Sequence, residues 1–212
     1  FDLRVHRRYN PEGLSRYNIV PGLIGTILTM TMVMLTGLAM TRERERGTME
    51  NLLATPARPF EVMVGKILPY VALGYVQLGV IMLAAWALFE VPMVGSFALL
   101  MPLIGVFMLA NLGVGFTFST LARNQLQAMQ MTFFFFLPSI LLSGFMFPFR
   151  GMPAWAQTLG EVLPLTHFLR IVRGILLKGS GWPELWPDVW PMALFILVAG
   201  AVALKRYRLT LD

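Results

Sequence analysis

The stretch IVPGLIGTILTMTMVMLTGLAMT, residues 19–41, contains no charged side chain. An α-helix rises about 1.5 Å per residue, so about 20 apolar residues cross the ~30 Å hydrocarbon layer of a membrane. This stretch is therefore long enough to span a membrane as a single helix. Four further apolar stretches follow it: residues 67–89, 96–120, 131–147 and 189–204. The sequence predicts an all-α, polytopic integral membrane protein with about five transmembrane helices.

The composition of the whole chain agrees with this class. Of 212 residues, 57% are apolar and only 13% are charged, whereas soluble domains carry about 25% charged residues. The absence of cysteine excludes disulfides and thiolate metal sites, and the two histidines, His6 and His167, are far apart in sequence. We therefore expect no metal site. The net charge of +6 is explained by basic residues that flank membrane spans, and no basic stripe with interleaved aromatics indicates nucleic-acid binding.

The basic residues also predict an orientation. Arginines and lysines adjoin spans directly in residues 42–46 and 205–208, and such residues favour the cytoplasmic side. The C-terminus and the loop 42–66 are therefore predicted to be cytoplasmic, in a multi-pass protein of the cell (inner) membrane. Residues 1–18 are then extracytoplasmic and are interpreted as the end of an upstream domain, with residues 19–212 forming the membrane domain.

The cytoplasmic segment RERERGTMENLLATPARPFE, residues 42–61, has the pattern of a short amphipathic helix. Gly47 interrupts the preceding helix, Thr48 can act as an N-cap, and Glu50 then lies in the first turn, where the helix dipole favours it. The helix ends before Pro56, because the residue preceding a proline avoids the α region. Its apolar face consists of Met49, Leu52 and Leu53. The segment is either a solvated loop with an interfacial helix or a docking element for a cytoplasmic partner.

Three sequence blocks resemble a known family in the same order. They are RYNPE at residues 8–12, GTMENLLATP leading to GKILPY at residues 47–70, and LLSGFMFPFRGMPAWAQTLGEVLPLTHFLRIVRGILLKG at residues 141–179. Together they resemble the permease subunits of ABC-2 type exporters, in the multidrug-efflux branch. Members of that branch have an additional N-terminal span and a large extracellular domain, so the resemblance implies that this chain is N-terminally truncated.

The resemblance implies a function and partners. The chain would be a permease that exports a small amphiphilic or hydrophobic compound, paired with a second copy or a paralogue. Export of a polysaccharide or a lipid is the alternative for the substrate. A separate ATPase subunit, which uses ATP and Mg, would dock on the short cytoplasmic helix, called the coupling helix in the family. The residues that match it by position are Glu43, Glu45, Gly47, Thr48, Glu50, Leu53 and Pro56. The alternative is a non-transporting membrane anchor or regulatory subunit for a cytoplasmic partner.

The sequence indicates no catalytic site and no cofactor of its own. A Walker A motif needs phosphate-cradling glycines followed by Lys and Ser/Thr, whereas Gly65-Lys66 is followed by Ile67. Ser143 and His167 alone, without a motif or a positioned base, are weak evidence for a hydrolase. ATP hydrolysis is therefore assigned to the partner subunit, and the chain is not predicted to be an enzyme.

Two polar side chains near the middle of predicted spans, Gln77 and Asn111, are candidates for a translocation path. The alternative is that they form hydrogen bonds between helices, each worth about 0.6 kcal/mol. No Asp, Glu, Lys or Arg lies mid-span, which counts against an ion-coupled carrier.

Residues 166–178 form a second amphipathic pattern, this time on the extracytoplasmic side. A helical projection places His167, Arg170 and Arg173 on one face and apolar residues such as Phe168 opposite. This predicts an interfacial helix with its polar face toward water and its apolar face against acyl chains or neighbouring helices. The resemblance suggests that it closes the exit of the path, and a plain surface anchor is the alternative.

Overall fold

The computed structural model describes residues 15–47 and 59–209, and within these ranges all regular elements are helical. Five of the helices are long and apolar enough to cross a membrane, so the predicted all-α, five-span fold is confirmed. The α-helices are α1 (Ser15–Glu45), α2 (Pro59–Phe89), α3 (Phe97–Leu121), α4 (Gln125–Leu142), α5 (Ala154–Val162), α6 (Pro164–Arg173) and α7 (Trp182–Leu209). A 3-10 turn, Phe149–Gly151, precedes α5, and a π-helical turn, Gly174–Lys178, continues α6.

Several helices extend beyond the apolar stretches because local signals set their ends. Helix α1 continues through its charged residues to Glu45, since Arg and Glu favour helix. Helix α2 starts at Pro59, a residue suited to the first helical position. Helix α4 begins after Asn124, whose side chain accepts a hydrogen bond of 2.8 Å from the Gln127 backbone N–H. It ends at Leu142, before Gly144 with φ of +81°, and so is shifted from the predicted span 131–147.

Helices α1 and α3 form the centre of the bundle. Both bury about half of their apolar length, while α2, α4 and α7 expose large apolar side chains. The exposed fractions reach 71% at Trp86, 80% at Phe134 and 70% at Leu197. In water such surfaces would be unfavourable, but lipid or a second membrane subunit covers them at no comparable cost.

The hairpin of α5 and α6 inserts into the bundle at the end where α3 starts. The rings of Phe168 in α6 and Phe107 in α3 stack with their centroids 3.9 Å apart. Phe107 lies ten residues into α3, which places this contact about 15 Å below the start of the helix. Gly25 of α1 makes room for the hairpin, since a methyl group there would lie 2.8 Å from Leu165 Cδ1.

The inserted position of α6 changes one expectation for the amphipathic helix predicted at residues 166–178. Its apolar face packs on neighbouring helices, where Phe168, Ile171 and Val172 are fully buried. The sequence places His167 on a face toward water, yet its exposed fraction is only 5%. The reason is that α5 and α7 cover the polar face and supply hydrogen-bonding partners for it, which a projection of a single helix does not show.

Replacement of Gly115 tests the central packing of α1 on α3. A methyl group there would lie 2.6 Å from the Val33 carbonyl oxygen, and backbone can relieve such overlap only by a shift of a whole helix. We expect Gly115→Ala to destabilise the protein by about 1–3 kcal/mol, measured as a lower midpoint of thermal unfolding in detergent. Gly79→Ala is the matched control, because nothing lies within 4 Å of its added methyl; an equal loss in both variants would contradict the packing.

Candidate functional site

The segment predicted to dock an ATPase begins where α1 ends. Gly47 has φ of +69°, in the left-handed region that favours glycine, and nothing lies within 4 Å of a methyl placed on it. Thr48, Glu50, Leu53 and Pro56 lie outside the described residues. The amphipathic helix over residues 48–54 therefore stays a prediction from the sequence, and the structure describes the helices on either side of it.

The first of the two acidic residues before Gly47 ties α1 to α2. Glu43 Oε2 lies 2.6 Å from Lys66 Nζ, and the side chains are 30% and 17% exposed. Partial burial makes this pair stronger than an exposed ion pair, because water screens it less. Helices α1 and α2, which flank the segment predicted to dock an ATPase, are thus joined close to the end of α1.

The second acidic residue ties α1 to α4. Glu45 Oε1 accepts a hydrogen bond of 2.8 Å from the Gln125 backbone N–H, and its other oxygen accepts one from the Gln125 side-chain amide. These bonds favour the charged form, so they hold the pKa of Glu45 below its ordinary value. The carboxylate also lies at the N-terminus of α4, where the helix dipole attracts a negative charge. Two carboxylates thus connect three helices at one end of the bundle.

The two mid-span polar residues differ in what they contact. Gln77 Nε2 donates to Thr31 Oγ1 at 3.0 Å, which joins α2 to α1. Asn111 is fully buried, and its Nδ2 donates to the Phe107 carbonyl of its own helix at 2.9 Å. The side-chain oxygens of both are buried without a partner in the described chain. Gln77 thus makes the interhelical bond that the sequence left as an alternative, and a place for either residue in a path stays a prediction.

A charged cluster joins the hairpin to α7. His167 Nδ1 lies 2.8 Å from Asp188 Oδ1, and its Nε2 lies 2.8 Å from the Glu161 carbonyl oxygen. Arg170 bonds both Glu161 carboxylate oxygens, at 3.0 and 2.5 Å, and Asp188 Oδ1 at 3.3 Å. Sequence analysis placed His167 and Arg170 on one face but missed both carboxylates, because these come from α5 and α7 and have no spacing signal relative to α6.

The cluster favours a protonated imidazole. Burial by itself would lower the pKa of His167, but the bond to Asp188, the bond to the Glu161 carbonyl and the two carboxylate charges together raise it above its ordinary value of 6.5. The arrangement suits a structural latch better than a metal centre. Within residues 15–47 and 59–209, no group of three His, Asp or Glu side chains could hold a metal ion, and Arg170 occupies both carboxylates here.

The sequence model of the ABC-2 type transporter family matches residues 5–177. The chain belongs to this family. The match includes residues 47–56, Gln77, Asn111 and the α5–α6 hairpin, so each candidate region lies within the matched part of the chain. The last described span, α7, lies beyond the match.

Curated relatives agree with the family. The probable multidrug ABC transporter permease YbhS of Escherichia coli K12 is 36% identical over 84% of this chain and 48% of its own length. The probable multidrug ABC transporter permease YbhR of the same strain is 33% identical over 98% of this chain and 56% of its own. The inner membrane transport permease YhhJ of that strain is 32% identical over 99% and 56%. The chain spans about half the length of these ABC-2 relatives.

The charged cluster around His167 makes the stability of this ABC-2 chain depend on pH. Because the folded-state pKa of His167 is raised, its charged form stabilises the fold below the unfolded-state pKa of about 6.5, and this contribution is lost as pH rises through the folded-state pKa. We expect wild type to exceed His167→Gln in thermal stability more at pH 6 than at pH 8.5. A change of 1 kcal/mol corresponds to about 2–4 °C. A difference between the two proteins that is the same at both pH values would refute this.

Proposed function

We propose that this chain is the membrane-spanning permease part of an ATP-driven ABC-2 exporter. It would move a small amphiphilic or hydrophobic compound out of the cytoplasm with energy from a separate ATPase subunit. Family membership supports the transporter class, and the names of YbhS and YbhR as multidrug permeases support the substrate class. ATP and Mg would be used by that ATPase, so the permease itself performs no catalysis and carries no cofactor.

The observation that carries this proposal is the pair of carboxylate links beside the docking segment. We assign ATPase contact to residues 47–56, with Thr48, Glu50, Leu53 and Pro56 as the contacting residues. Glu43 and Glu45 then act beside this segment, because they link the end of α1 to α2 and α4 through Lys66 and Gln125. Displacement of the segment by the ATPase would therefore move α1, α2 and α4 together. A loop without such links would absorb the same displacement.

The positions of the helix ends support an orientation of the chain in the membrane. The bond from Gln125 to Glu45 brings the C-terminal end of α1 and the turn between α3 and α4 to one side of the bundle. Five spans place the end of α7 on that side too, and its last residues include Lys205. We therefore propose that this side is cytoplasmic in the inner membrane, in accord with the preference of basic residues for the inside.

A second copy or a close paralogue would complete the path. The exposed apolar faces of α2, α4 and α7 provide surface for such a partner as well as for lipid. Gln77 and Asn111 each retain a buried oxygen without a partner, which costs about 1–3 kcal/mol apiece. Helix movement that turns these oxygens toward a polar path would recover that cost, and this supports both residues as path-lining candidates in another state.

Co-purification tests the docking assignment. The full-length permease is purified with a candidate ABC ATPase subunit, as wild type, as Glu50→Arg and as Glu184→Arg. Glu184 is the matched control, since it is an exposed carboxylate in the first turn of α7, at the opposite end of the bundle. We expect Glu50→Arg to weaken ATPase binding about tenfold, which is ~1.4 kcal/mol, and Glu184→Arg to leave it unchanged. If folded wild type binds no ATPase, the exporter proposal is refuted. Binding without any transport would favour the anchor alternative.

A charge exchange tests transmission separately from docking. Glu43→Lys and Lys66→Glu each place like charges beside one another at the α1–α2 link. We expect each to keep the ATPase bound but to reduce drug-stimulated ATP hydrolysis severalfold, whereas the double exchange restores it because the pair is remade. Transport assays in inverted vesicles should follow the same order. If the double variant is as impaired as either single variant, the link does not carry the movement.

A further inference from the structure

A cavity of about 390 Å³ with both polar and apolar walls lies beside the hairpin on the extracytoplasmic side. Its walls come from the start of α1 at Asn18, the turn after α4 at Ser143 and Gly144, and the last turn of α6 at Arg173. Asn18 directly precedes the uncharged stretch of α1, and Gly144 follows the end of α4 at Leu142. The cavity therefore lies at the level where the hydrocarbon layer gives way to headgroups.

Arg173 carries a charge in this cavity that no described carboxylate neutralises. Its two terminal nitrogens donate to main-chain carbonyl oxygens, those of Gly144 at 3.2 Å and Asn18 at 3.4 Å. Its Nε is buried and has no acceptor. In the ranges 15–47 and 59–209, the ion pairs of the acidic residues do not include Arg173. Burial also lowers the pKa of this guanidinium.

Arg170, one turn earlier and lining the same cavity, provides the contrast. It pairs with Glu161 and Asp188, and both carboxylates are also close to His167. These carboxylates are thus already engaged and do not reach Arg173. The net charge that faces the cavity is consequently positive. A partly buried cation without a counterion is costly unless an anion joins it.

The edge of the cavity is apolar. Met146 and Phe147 line it and are 58% and 55% exposed. Side chains this apolar, next to a cationic pocket at headgroup depth, suit a molecule with an anionic group attached to hydrocarbon chains. A guanidinium is well matched to phosphate, which it can bind through two parallel hydrogen bonds.

We propose that this cavity binds the phosphate of an anionic phospholipid from the outer leaflet, with Arg173 as the charged contact. The acyl chains would lie over Met146 and Phe147. The bound phosphate would neutralise Arg173 beside the α1–α6 contact and so fix the hairpin in its inserted position. This assignment concerns a structural lipid and is independent of the ATPase docking proposed above.

Native mass spectrometry of the delipidated protein, titrated with phosphatidylglycerol in detergent, tests the site. We expect Arg173→Gln to lower the affinity of the tightest lipid about tenfold. Met146→Glu places a carboxylate at the exposed edge without altering the core and should have the same effect, so the test does not depend on folding of the Arg173 variant. Arg150→Gln is the control, since Arg150 is an exposed arginine that does not line the cavity.

A parallel titration with inorganic phosphate separates the lipid from its headgroup chemistry. Loss of phosphatidylglycerol binding in Arg173→Gln and Met146→Glu, retention in Arg150→Gln, and little binding of inorganic phosphate would support the proposal. Binding of inorganic phosphate as tight as that of the lipid would overturn the assignment to phospholipid. Unchanged lipid affinity in folded Met146→Glu would overturn the site itself.

Discussion

The close approach of α1 and α3 is the constraint on which the rest of the bundle depends. At Gly115 no side chain separates the two backbones, and the Val33 carbonyl oxygen occupies the space that a methyl group would need. Lipid supplies little hydrophobic force to bring helices together, so close packing at small residues takes its place. With these two helices fixed, α2, α4 and α7 can remain peripheral and keep apolar side chains such as Phe134 on the outside.

Charged side chains link helices at both ends of the bundle. At one end Glu43 and Glu45 reach from α1 to α2 and α4, and this joins helices that are far apart in sequence. At the other end Arg170 and His167 draw Glu161 and Asp188 together around the hairpin. The first arrangement links α1, α2 and α4 to one another, and the second holds the α5–α6 hairpin in place between its neighbouring helices. Both lie where apolar stretches end, since ion pairs there avoid the full cost of burial in hydrocarbon.

Long uncharged runs predicted the number and order of the spans, because crossing lipid demands length and apolar composition together. The end of α1 before Gly47 was also predictable, since a residue with positive φ stops a helix. The partners of Glu43, Glu45 and His167 were not. Gln125 is 80 residues from Glu45, and their meeting depends on the tilt and axial offset of helices. Hydropathy leaves those quantities open, because a membrane helix is apolar on nearly every face. Projection of α6 alone predicted that His167 faces water, because such a projection does not include the covering helices α5 and α7.

The stack of Phe107 on Phe168 affects whether ions can leak through the protein. The two rings lie parallel with centroids 3.9 Å apart, and the residues around them, such as Ile104 and Leu165, are essentially fully buried. Within the described bundle these residues form a buried apolar layer between Asn111 and the end at which α3 starts. Ions cross such a layer with great difficulty, because each would have to shed its hydration. Within one protomer in this conformation, the layer therefore opposes leakage of ions across the membrane.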